Sequence, residues 1–590
     1  MSNLEIAQLF KNVAAAYTII DERKYHFQIV AYQKAADVVE RLSVELKSLH
    51  KDNKLDGISG IGPTIKQRLD ELFTTGRVAH FDEVLSHVPY AIFPLLDIPS
   101  FGPKKAYKLV TTFKLKYPET VIEDVKKLAT DGRIAELEGF GEKSEKDILQ
   151  ALSEYATGTT KTRRMLLPIA YEISENVLAY LRKSKDVIDV QPLGSLRRMA
   201  ETVGDVDIAA TSDNPQAVID YFVEFPHKER LIEKGPTTAS FLIGGGRHVD
   251  LLVLPPEMFG SMLQHFTGSK HHNVALREYS LKKGYSLSER GVKFTKEPDK
   301  PMKTFKTEES FYKFLGMDWI PPEIRDNVGE IDRAIKHTLP KLVELKDIKG
   351  DLHIHSDYQI DSSHDYGNAS MQQMLTRAKE LKYEYLGFSE HNPAGKNNDE
   401  KQICSILEKR AKFIEKLKES NKTIRIINLL ECDILASGKL AIPDSAMDFV
   451  DGLIVSIHSS FNTPKEKMTE RILSGLSNKK ARIFAHPTGR LLNSRAGYEV
   501  EWDKLFTFVA NNNKALEINS WPERLDLPDM LIRDALKKNI KFVIDTDSHA
   551  LSHMDNMFYG VSVARRGWCE AKDILNTYSY KDFFSWLTDY

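Results

Sequence analysis

KGDLHIH (residues 349–355) opens the C-terminal part of the chain and decides how that part folds. His353 and His355 stand two residues apart in an alternating apolar run, so a strand carries both to one face. The same texture returns at EYLGFSE (384–390), RIINLLE (425–431), GLIVSIH (452–458), RIFAHP (482–487), KALEIN (514–519) and KFVIDTD (541–547). Helix-forming segments separate these runs, a count and spacing that predict a β/α barrel of distorted form. Ligand-type side chains fall at or just after the ends of the predicted strands: His391, Glu431, His458, His486, Asp547 and His549. Strand C-termini of such a barrel share one rim, so residues distant in sequence meet there. Imidazoles with carboxylates suit Mn²⁺, Zn²⁺ or Fe²⁺, and a hydroxide between such ions can attack a phosphoester.

Toward the N-terminus the texture changes twice. Residues 159–338 mix helices with short β-branched runs, DVDIAAT (205–211) and HVDLLVL (248–254), the pattern of an α+β domain. GEIDRAIKHTLPKLVELKD (329–347) reads as helical, and residues 339–349 form a linker to a last domain at 350–590. Residues 1–158 read as helices only, with apolar positions at helical spacing in AYQKAADVVERLSVEL (31–46), KQRLDELF (66–73) and KAYKLVTTF (105–113). The chain of 590 residues is thus multidomain, as its length demands.

The α+β region holds Asp205 and Asp207 two apart on one predicted strand and Asp250 in another. Three such carboxylates, converging from adjacent strands, hold two Mg²⁺ ions for in-line phosphoryl transfer. In the helical region Gly60-Ile-Gly62, Ser100-Phe-Gly102 and Gly139-Phe-Gly141 recur about every forty residues, each followed by a helix. Glycines there let backbone N–H groups at a helix start approach a phosphate. Such contacts position a duplex without reading its sequence.

Composition bounds the rest. A net charge of −2 excludes a uniformly basic nucleic-acid binder but leaves room for local basic faces. Three scattered cysteines, Cys404, Cys432 and Cys569, exclude a disulfide framework. Charged residues interrupt the N-terminal stretch, and no long apolar run follows, so no secretion and no membrane contact are expected, and a cytoplasmic location is.

These motifs carry a resemblance. The three glycine turns resemble helix-hairpin-helix motifs, and Gly194-Ser195, with Arg198 and with Gly204 before Asp205, resembles the nucleotidyltransferase signature. His265-Phe266-Thr-Gly268 and, further on, Asn273 and Arg277 are similar to the nucleotide-binding turn of the family X DNA polymerases, relatives of polymerase β, over residues 1 to about 335. The array from His353 to His549 resembles the PHP (polymerase and histidinol phosphatase) domain, and YGVSVARRGW (559–568) resembles the version fused to bacterial and archaeal family X polymerases.

The resemblance implies catalysis by Asp205, Asp207 and Asp250 with Mg²⁺, and nucleotide contacts from Gly194, Ser195, Arg198, Gly204, Phe266, Gly268, Asn273 and Arg277. It implies DNA contacts from Gly60, Gly62, Gly102, Gly139, Gly141 and Lys34. It further implies up to three divalent ions, Mn²⁺ or Zn²⁺, at the barrel. The partners are gapped or primed duplex DNA, without sequence specificity, and dNTPs; a monomer is favoured. His265 stands where the family has tyrosine, and Arg68 stands where the lyase members carry a Schiff-base lysine. An arginine stays protonated, so lyase activity is expected to be weak or absent.

Two assignments are less direct. The family's first barrel motif continues to an acidic ligand, but here the chain reads HSDYQIDSSHDYGNAS, leaving Asp361, His364 and Asp365 as candidates, with Asp361 favoured by offset. Arg490, in HPTGR, is expected to meet a substrate phosphate. The function implied is short-gap filling in DNA repair, of the base-excision type, joined to a 3′→5′ exonuclease or 3′-end-processing activity. Two other readings stay open: a barrel acting on a small phosphate ester, and an inactive DNA-binding scaffold.

Overall fold

Apolar residues at helical spacing build the N-terminal part. In the helix Pro63–Thr75 the buried side chains are Ile65, Leu69 and Leu72, four and three residues apart, and Gly76 ends the helix at φ +80°, its N–H donating to Leu72 O. Helices Asn3–Asp21 and His26–Arg41 pack together, with Phe10, Tyr32 and Phe81 meeting at ring distances of 5.5–5.9 Å. No strand occurs among the described residues of this part. This computed structural model describes residues 1, 3–41, 46–51, 55, 61–98, 101–156, 164–243, 247–297, 299–493 and 495–589. The chain divides into two units, Met1–Arg163 and Arg164–Tyr590.

The second unit contains two sheets of consequence. A five-stranded mixed sheet runs in the order Asp189–Pro192, Val206–Thr211, Arg247–Leu254, Thr238–Ile243, Lys228–Lys234. Only its central pair, Val206–Thr211 with Arg247–Leu254, is parallel. A separate helical and hairpin layer around Phe305, Phe311, Tyr312, Leu315 and Ile320 has its own apolar core.

The other sheet has seven parallel strands in chain order: Gly350–Asp351, Tyr385–Phe388, Arg425–Asp433, Gly452–Ser456, Ala481–Phe484, Ala515–Asn519 and Lys541–Asp545. Several are buried along their whole length, as expected of strands covered on both faces. A parallel bridge between Ile354 and Ser548 joins the last segment to the first, His355 N donating to Ser548 O at 2.9 Å. The expected barrel is therefore present, and it closes at its C-terminal rim.

The stretch 329–347 differs from expectation. It is α-helical only over Glu330–Ile335, because Pro340 has no N–H to continue a helix. The expected linker 339–349 is packed rather than free: Val343 is fully buried and donates to Cys569 O at 2.9 Å. Its apolar Leu342, Val343 and Ile348 need a core to cover them. No helix among the described residues is long and apolar enough to cross a membrane.

Candidate active sites

In the mixed sheet Asp207 and Asp250 are direct neighbours across the parallel pair, and Asp205 lies two residues ahead, exposed. Burial and the charges of Asp250 and Asp205 push the Asp207 carboxyl up to about 7. Three acidic groups held this close need a positive counter-charge, and Arg198 is the cation that bears on Asp207. Gly194 sits at φ +57° against this carboxylate, where a Cβ would stand 2.6 Å from Asp207 Oδ2. The turn after it carries Ser195, half-buried, whose carbonyl accepts from Ala200 N at 3.0 Å.

The Arg198 guanidinium donates to Thr267 O, and a Cβ on Gly268 would be 3.1 Å from Arg198 Nη1. Arg197 donates to Thr267 Oγ1 at 2.6 Å and pairs with Glu308 at 2.7 Å, and Glu308 also pairs with the buried Arg325 at 2.7 Å. The structure thus brings Gly194, Ser195, Arg198, Asp207, Asp250 and Gly268 together. Phe266 is partly exposed beside them. Asn273 donates to His265 O at 2.6 Å and accepts from Gln264 at 2.8 Å, while Arg277 Nη2 lies 3.3 Å from His265 Nδ1. Gly204 approaches Arg164, 3.4 Å from Nη1 to a would-be Cβ.

Of the glycine turns, Gly60 and Ser100 lie outside the described residues. Gly62 and Gly102 each cap a helix that begins with proline, Pro63–Thr75 and Pro103–Thr112, and no atom stands within 4 Å of where their Cβ would be. Gly139, at φ +81°, and Gly141 lead into Glu142–Ala156. Lys34 is half-buried on His26–Arg41.

At the barrel rim the imidazoles crowd together. Ring centres of His355 and His549 are 4.2 Å apart, His355 and His391 4.4 Å, and His458 and His486 5.2 Å. Glu431 lies at the middle, 3.2 Å from His353 Nε2, 2.9 Å from His391 Nδ1 and 3.1 Å from His486 Nε2. Asp547 adds an oxygen 3.3 Å from His355 Nε2. Burial opposes ionisation of Glu431, yet His391, His353 and His458 outweigh it and hold the carboxyl well below its usual range. His486 and Asp547 sit at φ +30° and +53°, left-handed conformations that cost of order 1 kcal/mol each and persist where surroundings enforce them.

Two expectations are corrected here. Asp361 is exposed and accepts from Asn398 Nδ2 at 2.7 Å, away from the imidazoles. The extra residues of HSDYQIDSSHDYGNAS double the chain back, with Gly367 N donating to Ser356 O at 3.0 Å, and this return places Asp365 and His364 over the cluster. Asp365 lies 3.6 Å from His391 Nε2 and 3.4 Å from His549 Nε2. His364 Nε2 is 2.9 Å from Asp433, whose other oxygen is 2.7 Å from His458 Nδ1. Arg490 does not face the cluster. It is 13% exposed, pairs with Glu201 at 2.6 Å and donates to the carbonyls of Arg524 and Leu525.

Sequence reading also missed Asp433 and Glu517. Glu517 Oε1 meets His353 Nδ1 at 2.6 Å, and its other oxygen accepts from His486 N. Both share a strand with recognised or neighbouring polar positions, Glu431 and Asn519, two residues away, and that period was the available signal.

Family models match in four places: a helix-hairpin-helix domain over residues 1–78, a SAM-like helix-hairpin-helix tandem over 93–154, the DNA polymerase beta thumb over 262–326 and the PHP domain over 351–521. The chain is 33% identical to the DNA polymerase/3′-5′ exonuclease PolX of Bacillus subtilis (strain 168), covering 100% of this chain and 99% of that protein. The chain belongs to the family X DNA polymerases that carry a C-terminal PHP domain. DNA polymerase lambda of Rattus norvegicus is 25% identical over 55% of this chain and 56% of its own length.

The donor set of this PHP barrel fits divalent ions. His353 Nε2, His355 Nε2, His549 Nε2 and Glu431 Oε2 are buried and make no hydrogen bond, although they converge. Lone pairs buried without donors are expensive unless a cation takes them. Groups able to hold an ion are His353, His355 and Glu431; Glu431, His458 and His486; His355, His391 and His549; and His364, His391 and His458.

Proposed function

We propose that this chain is a DNA-directed DNA polymerase that fills short gaps during DNA repair, and that its PHP barrel trims 3′ ends as a metal-dependent 3′→5′ exonuclease. The division of labour is DNA docking by residues 1–158, nucleotidyl transfer by 159–338 and phosphoester hydrolysis by 350–590. The observation that carries the first activity is the register of Asp207 with Asp250 beside Gly194 and Arg198.

In the polymerase site Asp205, Asp207 and Asp250 would hold Mg²⁺, which supplies activation of the primer 3′-hydroxyl and neutralises the triphosphate. Gly194 and Ser195 leave backbone room for a phosphate, and Arg198 offers a forked guanidinium to it. Asn273 and Arg277 flank the Phe266–Gly268 turn, where the base and template would lie. In the barrel His353, His355, Glu431 and Asp547 would hold one ion, Glu431, His458 and His486 a second, and His391, His549 and Asp365, with His364 beside them, a third. Imidazole and carboxylate together suit Mn²⁺ or Zn²⁺, which would supply a hydroxide nucleophile at neutral pH. Glu517 and Asp433 orient the imidazoles they touch. We further propose that the protein acts as a monomer in the cytoplasm, in keeping with three unpaired cysteines.

Two assays test this. Incorporation of one dNTP into a single-nucleotide gap is expected with Mg²⁺ or Mn²⁺ and lost in Asp205→Ala; absence of incorporation by the wild type refutes the polymerase. Shortening of a labelled primer 3′ end is expected with Mn²⁺ and lost in His353→Ala, and a variant that still trims DNA refutes the assignment to the barrel.

A further inference from the structure

Arg490 faces away from the barrel centre, but its own contacts point to the residue that does not. After the strand Ala515–Asn519 the chain turns through Trp521–Asp526 and comes back onto itself, Asp526 N donating to Asn519 O at 3.2 Å and Arg524 N to Trp521 O at 2.8 Å. Arg490 donates to the carbonyls of Arg524 and Leu525, and Leu492 N donates to Glu523 O at 2.6 Å. Leu525 is held at φ +41°, a conformation a leucine adopts only when its surroundings impose it. The turn is therefore fixed, and so is the direction in which Arg524 leaves it.

That direction is toward the cluster. Arg524 Nε lies 3.5 Å from Asp547 Oδ2, and its side chain stays 17% exposed. Its charge also bears on His486 and Asp526. Every other ion-pair contact to Glu431, Asp547 and Asp365 among the described residues comes from an imidazole. A guanidinium at the edge of a divalent-ion site, with a route to solvent, has the planar fork that matches two oxygens of a phosphate. We infer that Arg524 receives the phosphate of the scissile phosphoester, and that Arg490, neutralised by Glu201, is the positioning residue that fixes the Arg524 turn.

This inference rests on the phosphoesterase reading above, so its test reads phosphate binding directly. The Mn²⁺-loaded full chain is titrated with inorganic phosphate by calorimetry, for the wild type, Arg524→Gln and Arg524→Lys, with bound manganese measured in each and gap filling as the control for folding. Loss of a charge-assisted contact weakens binding about 10- to 100-fold, so Arg524→Gln is expected to lose that much phosphate affinity with unchanged manganese content. Arg524→Lys, a point charge without the fork, is expected to fall between. Arg490→Lys, which keeps the charge beside Glu201, is expected to weaken phosphate binding less than Arg524→Gln. Equal phosphate affinity in wild type and Arg524→Gln overturns the inference. So does loss of manganese in Arg524→Gln, which would make the residue a support for Asp547 alone. If primer trimming fails in the wild type while phosphate binds and depends on Arg524, the nuclease reading falls and this inference stands.

Discussion

Asp433 accepts from two imidazoles at once, His364 on one oxygen and His458 on the other, so one carboxylate sets the direction of two rings. Outer carboxylates of this kind typically contribute about 10- to 100-fold in metal affinity. Asp433→Asn is therefore expected to lose manganese on dialysis against a weak chelator and to trim primers correspondingly slowly, with gap filling unchanged. Glu308 is a second residue whose charge can be isolated. Burial would raise its carboxyl, but Arg325 and Arg197 prevail and hold it at about 2. A depressed carboxyl contributes stability above its unfolded value, about 4.3, and that contribution is lost as pH falls through the folded value. Glu308→Gln leaves Arg325 buried without a counter-ion, which costs about 3–5 kcal/mol. The gap in urea midpoint between wild type and Glu308→Gln should accordingly be full at neutral pH and close between about pH 4.3 and 2; a gap independent of pH would contradict this account. At this scale the strand-end ligands His353, His355, His391, Glu431, His458, His486, Asp547 and His549 were legible because barrel geometry dictates where strand ends go. Asp365 was not, since offset counting fails across an insertion, and neither was the partner of Arg490, since nothing local points to Glu201.

Among elements, the loop between the first and second barrel strands shows how an insertion can keep a site intact. Gly367 passes so close beneath His355 that a Cβ would fall 1.8 Å from His355 O. Only a residue without a side chain fits, and the close pass is what returns the loop over the rings. Gly367→Ala should displace Asp365 and His364 together, so metal analysis is expected to show fewer ions per chain, with gap filling preserved. Gly194 serves the polymerase side in the same way, its missing Cβ leaving room for Asp207. The elements themselves were readable where periodicity was strong: all seven barrel strands fall within expected runs. The stretch 329–347 was misread because its apolar spacing is helical while Pro340 forbids the helix.

On the scale of the molecule, the polymerase sheet and the PHP barrel are joined by buried polar contacts. Arg566, at the end of the helix Met557–Arg566, donates to Arg198 O at 3.0 Å and pairs with Asp326 at 2.8 Å and Asp529 at 3.0 Å. Arg565 pairs with Glu323 at 2.7 Å, Arg490 with Glu201 at 2.6 Å, and Tyr171 packs on Phe558 at 5.2 Å. Breaking a fully buried pair costs about 3–5 kcal/mol. Arg566→Ala should cost less, about 2–3 kcal/mol, because Asp529 retains Arg533 and Asp326 retains some water. Unlike Asp433→Asn, it is expected to impair both activities, since the same side chain steadies the backbone of Arg198. A variant that unfolds earlier in urea but fills gaps normally would show that the contact is structural only.

The weld through Arg566 and Arg490 has a kinetic meaning. A sheet and a barrel that share a buried seam cannot swing toward each other to pass a primer end along, so the end itself must let go of one centre to enter the other. Extension and trimming then compete as a race between adding a nucleotide and departing, and the protein needs no signal to choose. Raising dNTP concentration on a gapped substrate should suppress trimming in proportion to the faster extension, while a blocked 3′ end, which cannot be extended, should be trimmed at a rate indifferent to dNTPs.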